Sequence, residues 1–253
     1  MSSQSPSQPD QDGFRPSLGS DKSKLKTQNS QLCFVCVGAG RSSRFGGDKL
    51  GLKLGGRTVF STALGALEAA FPAAGMIVVV ASKRLAFWID RLGLDFPRAR
   101  CVAGGAHRHE SVRAGVMAAI DLGAEVVAVH DAARPLVDPR DVQRVVGDLG
   151  DADGAVLTGR VSDTVKRIDG NDMVVETVDR EGLRLALTPQ VFRVSSLQFA
   201  WEEMNGSGEW TDESAILESL GMRVRSVVCR YPNPKLTVPS DLRVIRALAG
   251  VTP

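Results

Sequence analysis

The sequence lacks a long hydrophobic run: no stretch approaches the ~20 apolar residues that a membrane-spanning helix requires, and the N-terminus has no hydrophobic segment typical of a secretion signal. It also lacks an excess of charge, since the 253 residues carry a formal net charge of only +2. That balance leaves no electrostatic footprint for nucleic acid or for an anionic membrane. We therefore expect a cytoplasmic protein with no nucleic acid and no membrane among its partners, in which local clusters of cations bind any anion.

Cysteine is scarce, with four residues at positions 33, 36, 101 and 229. The Cys33-x-x-Cys36 spacing occurs in redox proteins, but a redox pair requires a turn at the start of a helix. Here both residues lie in a predicted strand, where side chains three apart point to opposite faces. We predict buried, inert thiols, which suit a reducing compartment.

Large apolar residues are almost missing from residues 1 to about 30, which are rich in Ser, Gln, Pro and Asp. Such a segment cannot bury enough surface to offset the entropy of ordering, so residues 1–30 are predicted to be a disordered extension. A transit peptide is the alternative, which Asp10, Asp12 and Asp21 disfavour because those peptides are poor in acids. Residues 31–253 show no repeat and no linker, and they are predicted to form a single domain.

A glycine-rich loop follows the first apolar run, which begins at Leu32 and reads as a strand buried on both faces. Gly38 and Gly40 allow a sharp turn and a close approach of backbone amides to a ligand. Arg44 and Lys49 follow on the same loop, and two cations beside exposed amides suit a polyphosphate. The alternative is an ordinary turn from a strand into a helix, with solvated charges.

This loop matches neither of the two common nucleotide signatures. A Walker A loop requires Gly-Lys-Ser/Thr, and a dinucleotide fingerprint requires a third glycine where Ser43 stands. The second predicted strand runs into Ser82-Lys83-Arg84, so the acid that would bind an NAD ribose is also missing. A Rossmann oxidoreductase is therefore disfavoured.

Strands and helices alternate along most of the chain. The predicted elements are a helix over Thr58 to Phe71, a strand over Met76 to Ala81, a helix over Lys83 to Leu92, a strand over Ala99 to Val102, a helix over His109 to Leu122, a strand over Glu125 to Val129, a helix over Asp138 to Leu149, a strand over Gly154 to Thr158, a helix from Ser195, a helix capped by Thr211, a strand over Arg223 to Val228 and a last helix ending near Gly250. This alternation predicts an α/β fold, a Rossmann-like, mostly parallel sheet with helices on both faces. Ligands then bind at the carboxyl ends of the strands.

Polar segments occur at two further strand ends. The segment from Gly104 to Ser111 follows the third strand, and the segment from His130 to Pro135 follows the fourth. Asp131 is placed to hold Mg²⁺ or a ribose hydroxyl, although it could also cap the turn before Pro135. His107 and His109 are expected to be surface residues rather than metal ligands, because no cysteine or well-spaced carboxylate lies near them.

Residues 160–187 break the alternation and read as two strands joined by a turn at Asp169-Gly170-Asn171. They are predicted to form a projecting β-arm. An isolated two-stranded ribbon is marginally stable in water, so we expect the arm to pack on a second copy of the chain. The sequence therefore predicts a homodimer.

Taken together, residues 32 to 249 resemble the 2-C-methyl-D-erythritol 4-phosphate cytidylyltransferase family, which uses CTP in the non-mevalonate isoprenoid pathway. Each motif is modest, but their order and spacing along the chain match. The motifs are Gly38-Ala-Gly40 with Arg44 and Lys49, Gly105 to Ser111, His130-Asp-Ala-Ala-Arg-Pro135, Asp163-Thr-Val-Lys-Arg167, Thr177-Val-Asp-Arg-Glu-Gly182, Ala186-Leu-Thr-Pro-Gln190, Thr211-Asp-Glu213 and Asn233-x-Lys235.

The resemblance implies transfer of CMP from CTP to 2-C-methyl-D-erythritol 4-phosphate, giving 4-diphosphocytidyl-2-C-methyl-D-erythritol and pyrophosphate, with Mg²⁺ or another divalent cation. It also implies a role for each matching residue. The backbone of Gly38, Ala39 and Gly40 would hold the triphosphate, and the catalytic cations would be Arg44, Lys49, Arg180 and Lys235. The cytosine would be read by Gly105 and Ser111, and Asp131 would face the metal, ribose and second substrate. The methylerythritol phosphate pocket would be lined by Arg134, Thr188, Thr211 and Lys235. Thr164 and Arg180 of the arm would complete that pocket from the other subunit.

The sequence departs from the family in its first loop. The usual Pro-Ala-Ala-Gly opening is Val37-Gly-Ala-Gly40 here, and the loop before Lys49 is short and lacks its usual proline. Pro234 also replaces an aliphatic residue before Lys235. These changes keep every charged group, so they bear on loop rigidity and CTP affinity rather than on the reaction.

Two alternatives stay open within the same fold. The chain could be a cytidylyltransferase for another polyol phosphate such as ribitol 5-phosphate, although the segments from His130 to Pro135 and from Val178 to Leu183 favour the isoprenoid enzyme. It could also be a catalytically silent nucleotide-binding regulator. The presence of Lys49 and Lys235 argues against a silent protein.

Overall fold

A computed structural model of the chain describes residues 31–40, 44–204 and 210–251. The extension predicted over residues 1–30 lies outside them. The strands are β1 (Leu32–Val37), β2 (Lys53–Leu54), β3 (Arg57–Thr58), β4 (Gly75–Ala81), β5 (Ala99–Gly104), β6 (Val126–Asp131), β7 (Gly154–Arg160), β8 (Val165–Ile168), β9 (Val174–Val178), β10 (Arg184–Arg193) and β11 (Val224–Val228). The helices are α1 (Val59–Ala70), α2 (Leu85–Asp95), α3 (Arg108–Ile120), α4 (Pro139–Gly147), α5 (Val194–Glu203), α6 (Glu213–Ser219) and α7 (Asp241–Leu248).

The main sheet has seven strands in the order β11-β7-β10-β6-β1-β4-β5. Strand β10 runs antiparallel to both of its neighbours, and the other neighbouring pairs are parallel. The predicted α/β fold with a mostly parallel sheet is confirmed. Because β1, β4 and β6 lie side by side in the parallel part, the loops at their carboxyl ends meet at one edge of the sheet.

Alternate residues of the central strands pack into two separate cores. In β1, Phe34 and Cys36 face the core that contains side chains of α1, α2, α4 and α7. Cys33 and Val35 face the core that contains side chains of α3, α5 and α6. Helices therefore cover both faces of the sheet, which is why β1 reads as a continuous apolar run.

The two cysteines in β1 are buried and inert, as predicted. Cys33 and Cys36 are buried, are not disulfide-bonded, and belong to opposite cores. Burial raises the pKa of Cys33 to about 12 and raises that of Cys36 still further. Neither thiol is available as a thiolate nucleophile near neutral pH.

Most helix boundaries differ from the predicted ones by a few residues. The helix expected over Lys83 to Leu92 is a 3-10 turn over Ser82–Arg84 followed by α2. The prediction that Thr211 caps α6 is wrong: Asp212 is the N-cap, and its Oδ1 accepts a hydrogen bond from the backbone N–H of Ala215 at 3.0 Å. A carboxylate two bonds from the backbone reaches that amide in the extended conformation that Asp212 adopts.

The predicted arm is a hairpin of β8 and β9 that pairs apart from the main sheet. The side chain of Asp169 accepts hydrogen bonds from the N–H groups of Asn171 and Met173, at 2.8 and 3.0 Å, and so fixes the turn. The returning strand β10 starts within the predicted arm and continues into the main sheet. Within the described part of the chain, no helix is both long and apolar enough to cross a membrane.

Candidate functional site

Asp131 ends β6 at the carboxyl edge of the sheet, where the predicted loops meet. Its side chain is buried, and Oδ2 accepts a hydrogen bond from Lys235 Nζ at 2.6 Å. On the other side, Arg108 NH2 lies 3.5 Å from Oδ1. Burial alone would raise the pKa of Asp131, but Arg108 and Lys235 outweigh it and hold the pKa at about 2. Asp131 is therefore an ionised carboxylate between two cations.

Lys49 extends from the glycine-rich loop to the same place. Its Nζ donates a 2.6 Å hydrogen bond to the carbonyl of Leu236, whose own N–H donates to the carbonyl of Ala133 at 2.8 Å. Burial lowers the pKa of Lys49, and the positive charges of Lys235 and Arg44 lower it further. Like charges gathered in this way create a site that an anion would stabilise.

Glycines in two loops allow those loops to pack tightly. A Cβ atom on Gly38 would lie 2.9 Å from Leu50 Cδ1. One on Gly104 would lie 2.5 Å from the Cβ of Ala39 and 2.7 Å from Ser111 Oγ. The loop after β1 and the end of β5 thus lie close together at Ala39 and Gly104, where a side chain on Gly104 would clash with Ala39.

The glycine loop differs in detail from the phosphate loop that the sequence predicts. The N–H of Gly38 donates to the carbonyl of Val79 at 2.7 Å, so this amide serves the sheet rather than a ligand. Gly40 is exposed, and a Cβ atom there would meet nothing within 4 Å. Arg44 is also exposed.

A buried hydrogen-bond chain fixes the backbone of Asp131. The hydroxyl of Thr188 accepts from the N–H of Asp131 and donates to His130 Nδ1, both at 3.1 Å. His130 Nε2 lies 3.1 Å from the carbonyl of Arg134. A carbonyl can only accept, so the proton of the neutral imidazole is on Nε2. The register of β10 against β7 shifts between Ala186 and Gln190, and this irregularity contains Thr188.

His130 should make the fold sensitive to mild acid. Burial lowers the pKa of His130 from 6.5 to about 4. Between these values the unfolded chain binds a proton that the folded chain does not, so the free energy of unfolding falls as the pH falls, by about 3 kcal/mol over this range. Urea denaturation of the wild type and of His130→Gln at several pH values from 7 to 4 measures the effect. The wild type and His130→Gln share all other titrating groups. The difference between their slopes of unfolding free energy against pH therefore comes from His130.

The matched control is His107→Gln/His109→Gln, which changes the two histidines of the loop before and in α3. This variant leaves the buried His130 in place, so it should keep the part of the slope that His130→Gln loses across the same range. Equal pH slopes for the wild type and His130→Gln would contradict the assignment.

Arg134 and Asn233 lie next to the hydrogen bonds of His130, Asp131 and Thr188, and each has a polar side-chain atom without a partner among the described residues. Arg134 NH1 donates to the carbonyl of Asn233 at 2.7 Å, and Asn233 Nδ2 donates to the carbonyl of Thr188 at 2.8 Å. Yet Arg134 Nε and Asn233 Oδ1 are buried and have no hydrogen-bond partner among the described residues. Buried polar atoms without partners are costly, so a ligand that supplies the missing partners would bind here favourably.

The structure brings together much of the site that the sequence predicts. Lys49, Asp131, Arg134, Thr188 and Lys235 are linked by the contacts described above. Ser111 is buried, and its hydroxyl donates to the carbonyl of His107 at 3.0 Å, while Gly105 is exposed in the same loop. Thr211 is exposed just before the cap of α6.

The two arm residues are placed differently. Thr164 and Arg180 are exposed, and Arg180 donates to the carbonyl of Ser162 within the arm. In the described ranges, no hydrogen bond or ion pair joins either residue to the cluster around Asp131. A single chain therefore does not bring them into the site.

Two residues of the cluster have no role in the sequence-based prediction. Arg108 lies beside Asp131, and Glu213, 105 positions further along the chain, binds Arg108. Arg108 is part of the motif from Gly105 to Ser111, where it stands between two histidines. Its place in the polar segment between the third strand and the next helix was the available signal for it.

Asp131 is also the carboxylate best placed for a divalent cation. Within residues 31–40, 44–204 and 210–251, no group of three or more His, Cys, Asp or Glu side chains could hold a metal ion. Mg²⁺ usually keeps several waters and binds one or two carboxylates together with substrate phosphates. The donor set fits an ion that arrives with a polyphosphate and takes a single protein ligand.

A family model described as IspD, 2-C-methyl-D-erythritol 4-phosphate cytidylyltransferase, matches residues 32–250. A curated protein of that name from Aeromonas hydrophila is 39% identical over 87% of this chain and 88% of its own length. One from Pelotomaculum thermopropionicum is 36% identical over 86% of this chain and 94% of its own length. The bifunctional enzyme IspD/IspF of Rhodospirillum rubrum is 37% identical over 84% of this chain, which spans 56% of that protein.

Solved structures give the same result. A 4-diphosphocytidyl-2C-methyl-D-erythritol synthase superposes with a TM-score of 0.73 at 32% identity, covering 86% of this chain and 97% of that one. The 2-C-methyl-D-erythritol 4-phosphate cytidylyltransferase of Thermus thermophilus superposes with a TM-score of 0.68 at 31% identity, covering 86% and 98%. The residues matched by the family model include every strand of the main sheet.

Proposed function

The chain belongs to the 2-C-methyl-D-erythritol 4-phosphate cytidylyltransferase family, and from this membership we propose how its residues divide the work of the reaction. The enzyme transfers CMP from CTP to 2-C-methyl-D-erythritol 4-phosphate and releases pyrophosphate, a step of isoprenoid precursor biosynthesis. The observation that carries the assignment of residues is the cluster of cations around Asp131, in which Lys235, Arg108 and Lys49 meet.

The nucleophile of this reaction needs no general base. A phosphate monoester has a second pKa near ~6, so it is mostly dianionic at neutral pH and can attack the α-phosphate of CTP directly. The difficulty is the repulsion between two anions, since two unit charges ~4 Å apart interact by about 4 kcal/mol at an effective dielectric of ~20. Fixed cations reduce this repulsion and stabilise the charge that develops in the transition state.

Each loop of the site takes one part of the substrates. The backbone of Ala39 and Gly40, with Arg44 and Lys49, holds the triphosphate, while the amide of Gly38 binds Val79 of the sheet. The loop from Gly105 to Ser111 reads the cytosine. The methylerythritol phosphate lies against a set of side chains from four other segments: Asp131, Arg134, Thr188, Thr211 and Lys235. The unpaired Nε of buried Arg134 supports this placement, because a phosphate oxygen would be its missing acceptor.

Asp131 would be the protein ligand of Mg²⁺. When bound, the ion would neutralise charge on the CTP phosphates. Lys235, which donates to Asp131 Oδ2, would place its positive charge beside the incoming phosphate. Asp131 is ionised and so suited to a cation, because Arg108 and Lys235 hold its pKa at about 2.

A pyrophosphate-release assay tests the function directly. CTP, UTP, ATP and GTP are each crossed with 2-C-methyl-D-erythritol 4-phosphate and with ribitol 5-phosphate. Release is expected with CTP and methylerythritol phosphate only. Faster release with ribitol 5-phosphate would assign the chain to another polyol, and no release in any combination would favour a silent nucleotide-binding protein.

The arm is proposed to join two chains into a homodimer. Its exposed apolar side chains include Ile168, Met173, Val174 and Val175, each more than half exposed. A hairpin with this much exposed apolar surface gains stability by packing on a partner. Thr164 and Arg180, which a single chain leaves outside the cluster, would then complete the substrate pocket of the second subunit.

A shared site predicts that two inactive variants complement each other. Co-expressed Lys49→Ala and Arg180→Ala chains should recover part of the activity that either variant lacks alone. A heterodimer of the two keeps one site with an intact loop and an intact arm, and both defects fall in the other site. Turnover per mole of purified heterodimer measures the recovery.

The control is a heterodimer of Lys49→Ala with Lys235→Ala, because both residues lie in the same chain's cluster and no intact site can form if neither residue crosses the interface. Heterodimers of Lys49→Ala and Arg180→Ala without recovery, or a wild-type chain that sediments as a monomer, would exclude the shared site.

A cytosolic location is likewise proposed, from the free cysteines Cys33 and Cys36 in the core.

A further inference from the structure

Arg108 connects two carboxylates that belong to different parts of the fold. Its NH1 donates to both oxygens of Glu213, at 2.9 and 2.8 Å, and its NH2 lies 3.5 Å from Asp131 Oδ1. The Glu213 side chain is only 2% exposed, while the side chain of Arg108 is 32% exposed. One guanidinium therefore bridges a buried carboxylate and the carboxylate at the centre of the cluster.

Both members of this ion pair stand at the start of a helix. Arg108 is the first residue of α3, directly after the loop that contains Gly105, and Glu213 is the first residue of α6, directly after Thr211 and Asp212. In the proposed function the first loop faces the cytosine and the second faces the methylerythritol phosphate. The ion pair thus connects the helix that follows the CTP loop with the helix that follows Thr211.

The charges of Arg108 and Glu213 favour their ion pair. Burial raises the pKa of Glu213, and contact with Arg108 opposes this rise without cancelling it. Burial lowers the pKa of Arg108, but Glu213 and Asp131 outweigh it and raise that pKa. A guanidinium keeps its proton throughout the physiological pH range, and a buried carboxylate without its partner would be strongly unfavourable.

We propose that Arg108 is a positioning residue and that its ion pair with Glu213 sets the distance between the CTP subsite and the methylerythritol phosphate subsite. The inference rests on the proposed function for what each subsite binds. Glu213 holds NH1 of the guanidinium with both of its oxygens, and NH2 of the same planar group lies beside Oδ1 of Asp131, whose Oδ2 binds Lys235. A change at Glu213 should therefore weaken CTP binding, although Glu213 itself lies on the helix beside the other substrate.

The test compares binding and kinetics of variants at this pair. Glu213→Gln should raise the dissociation constant for CTP, measured by isothermal titration calorimetry, and the KM values for both substrates by about 5-fold or more. Arg108→Lys keeps the charge, but its single nitrogen cannot replace both NH1 at Glu213 and NH2 at Asp131, so it should recover only part of the loss that Arg108→Met shows.

A paired variant separates positioning from stability. Removing one partner of a buried ion pair can unfold a protein, whereas replacing both with apolar residues is often neutral or stabilising. Arg108→Met/Glu213→Leu should therefore melt close to the wild type and still show the raised constants for both substrates. If this folded double variant binds CTP and turns over both substrates like the wild type, the inference is overturned.

The matched control lies on the same helix. Arg113 is exposed and its guanidinium lies 5.8 Å from the ring centre of Trp201, away from both carboxylates, so Arg113→Met should leave every constant within about twofold. A wild type that binds CTP but releases no pyrophosphate would count against the proposed function, and the CTP dissociation constants would still decide the inference. A wild type with turnover and unchanged constants in Glu213→Gln and in the double variant would reject the inference alone.

Discussion

Lys49→Ala is expected to lower kcat by about 10²-fold or more while the protein stays folded, since loss of one fixed charge or hydrogen-bond donor at a developing anion has an effect of this size. The ammonium of Lys49 is half-buried, and its neighbours Lys235 and Arg44 lower its pKa, so it lies where positive charge is concentrated. Steady-state kinetics with both substrates saturating measures the change.

Lys53→Ala is the matched control, because Lys53 is an exposed lysine on the nearby strand β2. It should keep wild-type turnover. Thermal melting shows whether either variant is destabilised, which matters because Lys49 also donates to the carbonyl of Leu236. Turnover of Lys49→Ala within about twofold of the wild type would remove Lys49 from the catalytic cations.

Removal of divalent cations is expected to abolish turnover, and added Mg²⁺ should restore it. A triphosphate approached by a second anion needs more positive charge than side chains supply, and Asp131 is the carboxylate placed to hold the ion. Pyrophosphate release in excess chelator, followed by titration with MgCl₂, measures the dependence. Asp131→Asn should need a higher Mg²⁺ concentration for half-maximal activity.

The metal experiment has a control outside the cluster. Asp138→Asn changes a carboxylate that caps α4 and pairs with Arg140, so it should leave the Mg²⁺ requirement unchanged. If the wild type runs at its normal rate in excess chelator, both the metal and the role of Asp131 as its ligand have to be withdrawn.

The fold could be predicted because its strongest signals are local. The central strand β1 is a short apolar run that ends in glycine, and the helices after it have apolar residues at helical spacing. Exact boundaries could not, because caps depend on side-chain geometry: the sequence offers Thr211 and Asp212 as neighbours, and the backbone makes Asp212 the cap of α6. The antiparallel direction of β10 depends on the arm that precedes it.

The site could be predicted only in part. Asp131 at a strand end and Lys49 on the loop after β1 were expected, because carboxyl ends of parallel strands share one edge. Contacts between distant segments were not, because packing alone brings them together. The pair of Arg108 and Glu213 joins positions 105 apart, and the hydroxyl of Thr188 is used by Asp131 and His130 rather than left free.

The alternation of side chains in β1 limits how this part of the gene can change over evolutionary time. Deleting one codon would turn Phe34 and its alternate neighbours toward the core that holds Val35, and the reverse, so both cores would be filled with the wrong shapes. It would also draw the loop at Gly38 back by one residue, about 3.3 Å. Single substitutions that keep the side-chain volume can be tolerated in β1, but insertions and deletions cannot. Insertions should instead accumulate at the exposed tip of the arm near Gly170, where no core depends on the count of residues.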